Sequence, residues 1–139
     1  MKEGSTAAAR SHPDAKASPP VVCFDSVTQI TRDCAGKVVV TGSHGGKSSA
    51  SYATKVRAAL YVFNDAGIGK DGAGVAALAL LAEQGIAALT VDCRSARIGD
   101  ARDTLENGMV SAVNEPAHAA GWREAVGLQD QLERARPVT

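Results

Sequence analysis

The chain has 139 residues, of which 45% are apolar, 22% are charged and only 4% are aromatic. A chain of this length has room for one compact domain, whose core must be built mainly from valine, leucine, isoleucine and alanine. The 15 basic and 15 acidic residues cancel, which argues against nucleic-acid binding by bulk electrostatics and against a polybasic membrane anchor.

Neither a membrane span nor an extracellular disulfide framework is predicted. The sequence has no apolar run of about 18 residues and no N-terminal apolar segment of the secretory type. Its cysteines, Cys23, Cys34 and Cys93, are odd in number and lack the spacing of a zinc site. We therefore expect a cytoplasmic protein with reduced thiols, without a membrane partner and without a metal site.

Residues 1–20 are rich in alanine, serine, proline and charge, without any periodicity. This composition predicts a disordered tail that ends at Pro19-Pro20. Residues 21–139 change character and are predicted to form a single domain.

Apolar, often β-branched runs predict strands, and apolar residues at helical spacing predict helices. The predicted strands lie at 21–24, 37–41, 59–63, 86–91 and 109–113, and the predicted helices at 48–60, 72–84 and 117–136. The apolar runs do not alternate with polar residues, which is typical of parallel strands buried on both faces. Strands that alternate with helices indicate right-handed βαβ units, so we expect a small layered α/β domain with a mostly parallel sheet covered by helices.

Clusters of small and polar residues follow the predicted strands, at 41–48, 64–71, 92–100 and 111–115. Loops are polar in any α/β fold, but these loops combine glycines with histidine, asparagine, aspartate, lysine, serine and arginine. Parallel strands bring their carboxyl ends to one edge of the sheet, where ligands bind in open α/β folds. We therefore expect Gly45, Asp65, Arg97 and Asn114 to line one shared site.

The first cluster, TGSHGGKS, lies between a predicted strand and a predicted helix, which is the context of a phosphate-binding P-loop. Gly46-Lys47-Ser48 fits the end of that motif, but Thr41 stands where the first glycine is required. A degenerate P-loop nucleotide binder is therefore one alternative, and a plain glycine-rich turn is another.

The same cluster is also compatible with a more general anion pocket. Glycines expose backbone N–H groups, and the helix that follows points its positive end toward them. Ser43, Gly45 and Gly46 are accordingly predicted to bind a carboxylate or a phosphate. His44 is predicted as an acid–base catalyst, with simple exposure or a structural hydrogen bond as the alternative.

The second cluster begins directly after an apolar strand, so its first side chains should emerge at the edge of the sheet. Asp65 is predicted as a catalytic base and Asn64 as a ligand-binding residue. Lys70 is predicted to assist catalysis as an electrostatic clamp. A solvated ion pair between Lys70 and Asp71 would explain these charges equally well.

The last two clusters contribute Ser95, Arg97 and Asn114 as predicted ligand-binding residues. Arginine is suited to bidentate contact with a carboxylate or phosphate, although Arg97 could instead pair with an aspartate of its own loop. The sequence leaves any cofactor open.

Together these features favour an enzyme of hydrolase or lyase type that acts on a small-molecule anion. The alternative is a non-catalytic metabolite-binding or subunit domain of an oligomer. The helix segment 73–84 is apolar all round, which implies burial on more than one face. Because the chain carries no net charge to oppose association, we expect a homo-oligomer with this segment at or near the interface.

Overall fold

The structure is a computed structural model that describes residues 19–134. The tail predicted over 1–20 therefore lies, apart from its last two residues, outside the described residues. Five strands form one sheet in chain order: β1 (Val21–Phe24), β2 (Val38–His44), β3 (Leu60–Asn64), β4 (Ala88–Val91) and β5 (Val110–Val113). The first four strands are parallel and β5 is antiparallel to β4, which confirms the predicted α/β domain with a mostly parallel sheet.

Between residues 19 and 134 five α-helices accompany the sheet: α1 (Lys47–Ala53), α2 (Ala76–Glu83), α3 (Ala101–Asn107), α4 (Glu115–Ala119) and α5 (Leu128–Arg134). Short 3-10 turns lie at Val27–Gln29, Arg32–Cys34 and Lys70–Val75. None of the helices between residues 19 and 134 is both long and apolar enough to cross a membrane.

The sheet is covered on both faces, which explains why its strands do not alternate between apolar and polar residues. On one face, Val39, Tyr61 and Phe63 pack with α1 and α2. On the other face, Val40 and Val62 belong to a second core that includes residues of α4 and α5. All five of these side chains are fully buried.

All three predicted helices are shorter in the structure; the predicted helix 48–60 ends as α1 at Ala53, and in the other two the backbone leaves the helical region. The predicted helix 117–136 is interrupted where Gly121 and Ala125 adopt positive φ angles of 104° and 65°. The freed segment pairs with β5, since Ala125 donates to the Val110 oxygen and Val110 donates to the Val126 oxygen. The first residues of the predicted helix 72–84 form a 3-10 turn, and α2 begins only at Ala76.

Helix α3 was not predicted, although its start carries a recognisable signal. Asp100 is its N-cap, and the Asp100 carboxylate accepts a hydrogen bond from the Asp103 amide. An aspartate followed three residues later by a second acidic residue is a known pattern at helix starts, where acidic groups also complement the helix dipole.

The expected placement of Asn114 at the shared site is wrong, because β5 runs antiparallel and therefore ends at the opposite edge of the sheet. The Asn114 side chain is buried there. Its Oδ1 accepts from the amides of Ala88 and Ala117, and its Nδ2 donates to the carbonyl oxygens of Leu78 and Ile86. Asn114 thus joins α2, β4 and α4, and its predicted ligand-binding group is occupied within the fold.

Replacing Asn114 by aspartate should destabilise the fold strongly. In Asn114→Asp the Leu78 and Ile86 carbonyl oxygens would lose their donor and face a carboxylate oxygen instead, and breaking a buried polar network in this way costs roughly 3–5 kcal/mol. The pKa of this new carboxyl should lie above its unfolded value, so the penalty should shrink as the pH falls toward about 4. Urea unfolding at several pH values measures both effects.

The matched control is Asn107→Asp, at the exposed end of α3. Asn107 donates to the Asp103 carboxylate at the surface, where a lost contact costs less than about 1 kcal/mol. Equal penalties for the two variants would contradict the role assigned to Asn114.

Candidate functional site

The carboxyl ends of β1–β4, together with the loops that follow them, form one edge of the sheet, termed here the carboxyl edge. His44 lies opposite Asn64 in the sheet register, and Asn64 lies opposite Val91. The β4–α3 loop crosses this edge, since Gly99 donates to the Gly42 oxygen. The structure thus places nine of the ten predicted site residues at one edge, namely Ser43, His44, Gly45, Gly46, Asn64, Asp65, Lys70, Ser95 and Arg97.

Asp65 is the most buried acidic residue of the carboxyl edge, with 4% of its surface exposed. Its Oδ1 accepts hydrogen bonds from the amides of Gly67, at 2.8 Å, and Cys93, at 3.0 Å. A buried carboxylate requires such donors to offset its lost hydration. Asp65 therefore ties the loop after β3 to the loop after β4, a structural role that competes with the predicted role of a catalytic base.

Three predicted ligand-binding side chains are likewise engaged by the backbone. Asn64 is fully buried, donates to the Ala96 oxygen and accepts from the Ala66 amide. The Ser95 hydroxyl donates to the Asp92 oxygen and accepts from the Met109 amide. The Ser43 hydroxyl accepts from the Val27 amide. These contacts position the loops and leave fewer groups for a ligand.

The two glycines predicted to hold an anion are used for close packing. The Gly45 amide instead donates to the Asn64 oxygen, and a Cβ at Gly45 would lie 2.6 Å from the Gly74 oxygen. A Cβ at Gly46 would lie 2.8 Å from the His44 Nε2 atom. Any side chain at Gly46 would therefore displace the imidazole, which at present lies over this glycine.

An ion pair connects Asp92 with Arg94 at the end of β4. Nε and Nη2 of Arg94 donate to the two carboxylate oxygens, and the Nη2–Oδ2 distance is 2.7 Å. These side-chain hydrogen bonds, then a hydrogen bond from the Arg94 amide to Oδ1, and the positive charge of Arg94 lower the pKa of Asp92 to about 2. The sequence interpretation stressed Arg97, but the guanidinium held at this edge by a carboxylate is that of Arg94.

Asp25 is a carboxylate of this edge that sequence reasoning missed. It follows β1 directly, and its Oδ1 accepts from the Ala101 amide at the start of α3. Its position after an apolar strand resembles that of Asp65 after β3, and this shared position is the signal that could have found it.

Two cations of the carboxyl edge differ from Arg94 in that they have no ion pair within the described residues. Lys70 and Arg97 are exposed, and no carboxylate between residues 19 and 134 forms an ion pair with either side chain. The Arg97 amide donates to Asp103. The hydrogen bond from Asn107, then this one, and the positive charge of the Arg97 side chain lower the Asp103 pKa, so Asp103 is the carboxylate with which a ligand of Arg97 would compete. The two side-chain cations are therefore available to a ligand.

Asp65, Asp92 and Cys93 form the cluster of this edge that comes nearest to a metal site. Their ligand atoms lie within 4.8 Å of one another, and His44 does not belong to this group. Both oxygens of Asp92 already accept from Arg94. The cluster is therefore better described as part of an ion-pair and hydrogen-bond network than as a metal centre.

Comparisons of the chain with protein-family models, with curated proteins and with solved structures found no match. Function is accordingly inferred from the geometry of the chain's own residues.

Removing the Arg94 guanidinium should return the Asp92 pKa toward its ordinary value. In Arg94→Gln the side-chain hydrogen bonds and the positive charge that favour the carboxylate are lost, while the amide of residue 94 still donates to Asp92, so the Asp92 pKa should rise only part of the way to its ordinary value. Because the Asp92 pKa is lowered in the folded state, the pair's contribution to stability is present above about pH 4 and is lost as the pH falls toward about 2. Carboxyl ¹³C NMR titration measures the pKa directly.

The control variant Arg102→Gln removes the surface pair between Arg102 and Glu106 within α3. It should leave the Asp92 titration unchanged. An Asp92 pKa that stays near 2 in Arg94→Gln would contradict the assigned cause.

Proposed function

We propose that the carboxyl edge binds a small-molecule anion, with Lys70 and Arg97 as its principal contacts and His44 as a further donor. The observation that carries this proposal is that three carboxylates of the edge are hydrogen-bonded within the fold, whereas two of its cations are not. Among the described residues, the carboxylates of Asp25, Asp65 and Asp92 accept hydrogen bonds within the fold, whereas the Lys70 and Arg97 side chains face solvent without an ionic partner.

The position of these cations also supports binding. In open α/β sheets, ligands bind outside the carboxyl ends of the strands. Arg97 can present a planar fork to a carboxylate or phosphate, and Lys70 a compact ammonium. His44 ends β2 with an exposed imidazole, so it can donate to the same anion.

Non-catalytic metabolite binding is favoured over catalysis at this edge. Asp65, the predicted base, is buried and its Oδ1 already accepts two backbone hydrogen bonds. Within residues 19–134 no hydrogen bond joins it to His44 or Lys70, so the three predicted catalytic side chains are not connected to one another in this structure. An enzyme of hydrolase or lyase type remains a prediction that requires ligand-induced rearrangement of Asp65.

A nucleotide-binding P-loop receives less support. Thr41, which stands in the position of the first P-loop glycine, is buried and donates its hydroxyl hydrogen to the Val62 oxygen. The Gly45 amide also donates within the fold, so it does not cradle a phosphate as P-loop amides do.

Self-association and a cytoplasmic location complete the proposal. Between the exposed charged residues Asp71 and Glu83, the outward side of α2 carries apolar residues, with Ala73 and Ala79 exposed and Ala76 and Leu80 partly exposed. Such a surface allows close approach of a second copy. From this surface we propose a homo-oligomer. The free cysteines Cys23, Cys34 and Cys93 fit a reducing compartment, and we therefore propose that the protein is located in the cytoplasm.

Neutralising either exposed cation should weaken anion binding. In Lys70→Gln and Arg97→Gln the affinity for inorganic phosphate or malonate should fall about tenfold, as expected for loss of one charge-assisted contact. The Gly67 and Gly69 amides report binding in ¹⁵N-resolved NMR spectra. Binding should also weaken with added salt, because both side chains are exposed.

Lys55→Gln is the matched control, since Lys55 lies beyond the C-terminal end of α1 with its Nζ 5.5 Å from the centre of the Tyr52 ring. It should bind these anions as the parent chain does. Equal affinity in all four proteins, or no saturable shift of the glycine amides, would contradict the proposal.

A charged side chain introduced on the outer face of α2 should dissociate the proposed oligomer. Light scattering at micromolar concentration should give a multiple of the chain mass for the parent protein and the single-chain mass for Ala79→Glu. Ala119→Glu, at an exposed position of α4, should leave the mass unchanged. A single-chain mass for the parent protein would remove the interface.

A further inference from the structure

A cavity of about 320 Å³ lies beside β5, and none of its lining residues belongs to the carboxyl edge. It is bounded by the segment 120–123, by Val126, and by Gln131 and Arg134 of α5. Its volume is at the lower end of the range of about 300–1,000 Å³ that is usual for small-molecule sites. A ligand with a single ring is therefore the size that it can accommodate.

The wall of this cavity is fixed by a buried glutamine. Gln131 is only 8% exposed, and its Oε1 accepts from the Arg123 amide at 2.8 Å. Its Nε2 donates to the oxygens of Arg123, at 2.8 Å, and Val126, at 3.2 Å. The loop between α4 and α5 is thus held in place before a ligand arrives, which lowers the ordering cost of binding.

The lining combines an aromatic face with positive charge. Trp122 is partly buried and packs against the second core, and both Arg123 and Arg134 line the cavity. Arg123 is oriented by hydrogen bonds from its Nη1 to the backbone oxygens of His118 and Trp122. Among the described residues that line the cavity none is acidic.

We propose that this cavity binds a small aromatic carboxylate. Its ring packs against the Trp122 indole, in the offset or edge-to-face geometry that aromatic pairs prefer. Its carboxylate pairs with the Arg134 guanidinium and with the Arg123 nitrogens that the backbone does not use, because guanidinium groups match the planar geometry of a carboxylate.

The chain offers a direct reporter, because Trp122 is its single tryptophan. The indole N–H therefore gives one signal in ¹⁵N-resolved NMR spectra. Titration with benzoate should shift this signal in a saturable way. Benzyl alcohol lacks the charge and cyclohexanecarboxylate lacks the aromatic face. The affinity for each should be lower than that for benzoate by a factor of about ten or more.

Arg134→Gln should weaken benzoate binding about tenfold, as expected for the loss of one charge-assisted contact. Arg134 is exposed, so this variant keeps the fold that an Arg123 variant could disturb. Arg32→Gln, at an exposed residue in a 3-10 turn on the opposite face of the sheet, should bind benzoate like the parent chain.

Two results overturn the proposal. The first is a Trp122 signal that does not move at millimolar benzoate, or that moves equally in Arg134→Gln and the parent chain. The second is a shift confined to the Gly67 and Gly69 amides, which would place benzoate at the carboxyl edge. The two sites are thereby tested separately.

Discussion

A backbone-to-backbone contact at Gly42 determines how the chain crosses the carboxyl edge. A Cβ at this position would overlap the Asp100 nitrogen, and the Gly99 amide donates to the Gly42 oxygen at 2.8 Å. The β4–α3 connection can therefore lie directly on β2, where Asp25 receives the first amide of α3. This crossing lies over Gly42 within β2 and reaches the end of β1 at Asp25, whereas residues 66–71 of the loop after β3 are all exposed.

Buried polar side chains then hold the loops on either side of this crossing. Asp65 joins two loops, Asn64 joins β3 to the Ala96 oxygen, and Asn114 performs the equivalent task at the opposite edge. Each of them satisfies backbone groups that burial would otherwise leave without partners. A polar residue after a strand is therefore as well explained by loop anchoring as by ligand binding, and only the position of the partner atoms distinguishes the two.

This distinction limits what the sequence could predict. The strands β2, β3 and β4 were predictable because β-branched and apolar runs buried on both faces have few alternatives. The direction of β5 was not predictable, because an apolar run does not indicate whether its strand lies parallel or antiparallel to its neighbour. The wrong placement of Asn114 follows from this. The break in the last predicted helix depends on Ala125, whose positive φ is stabilised by pairing with β5 and not by its own preference.

The carboxyl edge also shows why a net charge of zero for the whole chain says little about the charge at one site. Lys70 and Arg97 offer donors to an anion, but Asp71 is exposed beside Lys70 and Asp65 lies beneath the same loop. A hydrogen-bonded carboxylate keeps its charge, so it repels an approaching anion over several ångströms. Long-range attraction is consequently small at this edge, and recognition has to come from short, directed contacts. A planar group that fits the guanidinium fork of Arg97 meets that requirement better than a diffuse charge does.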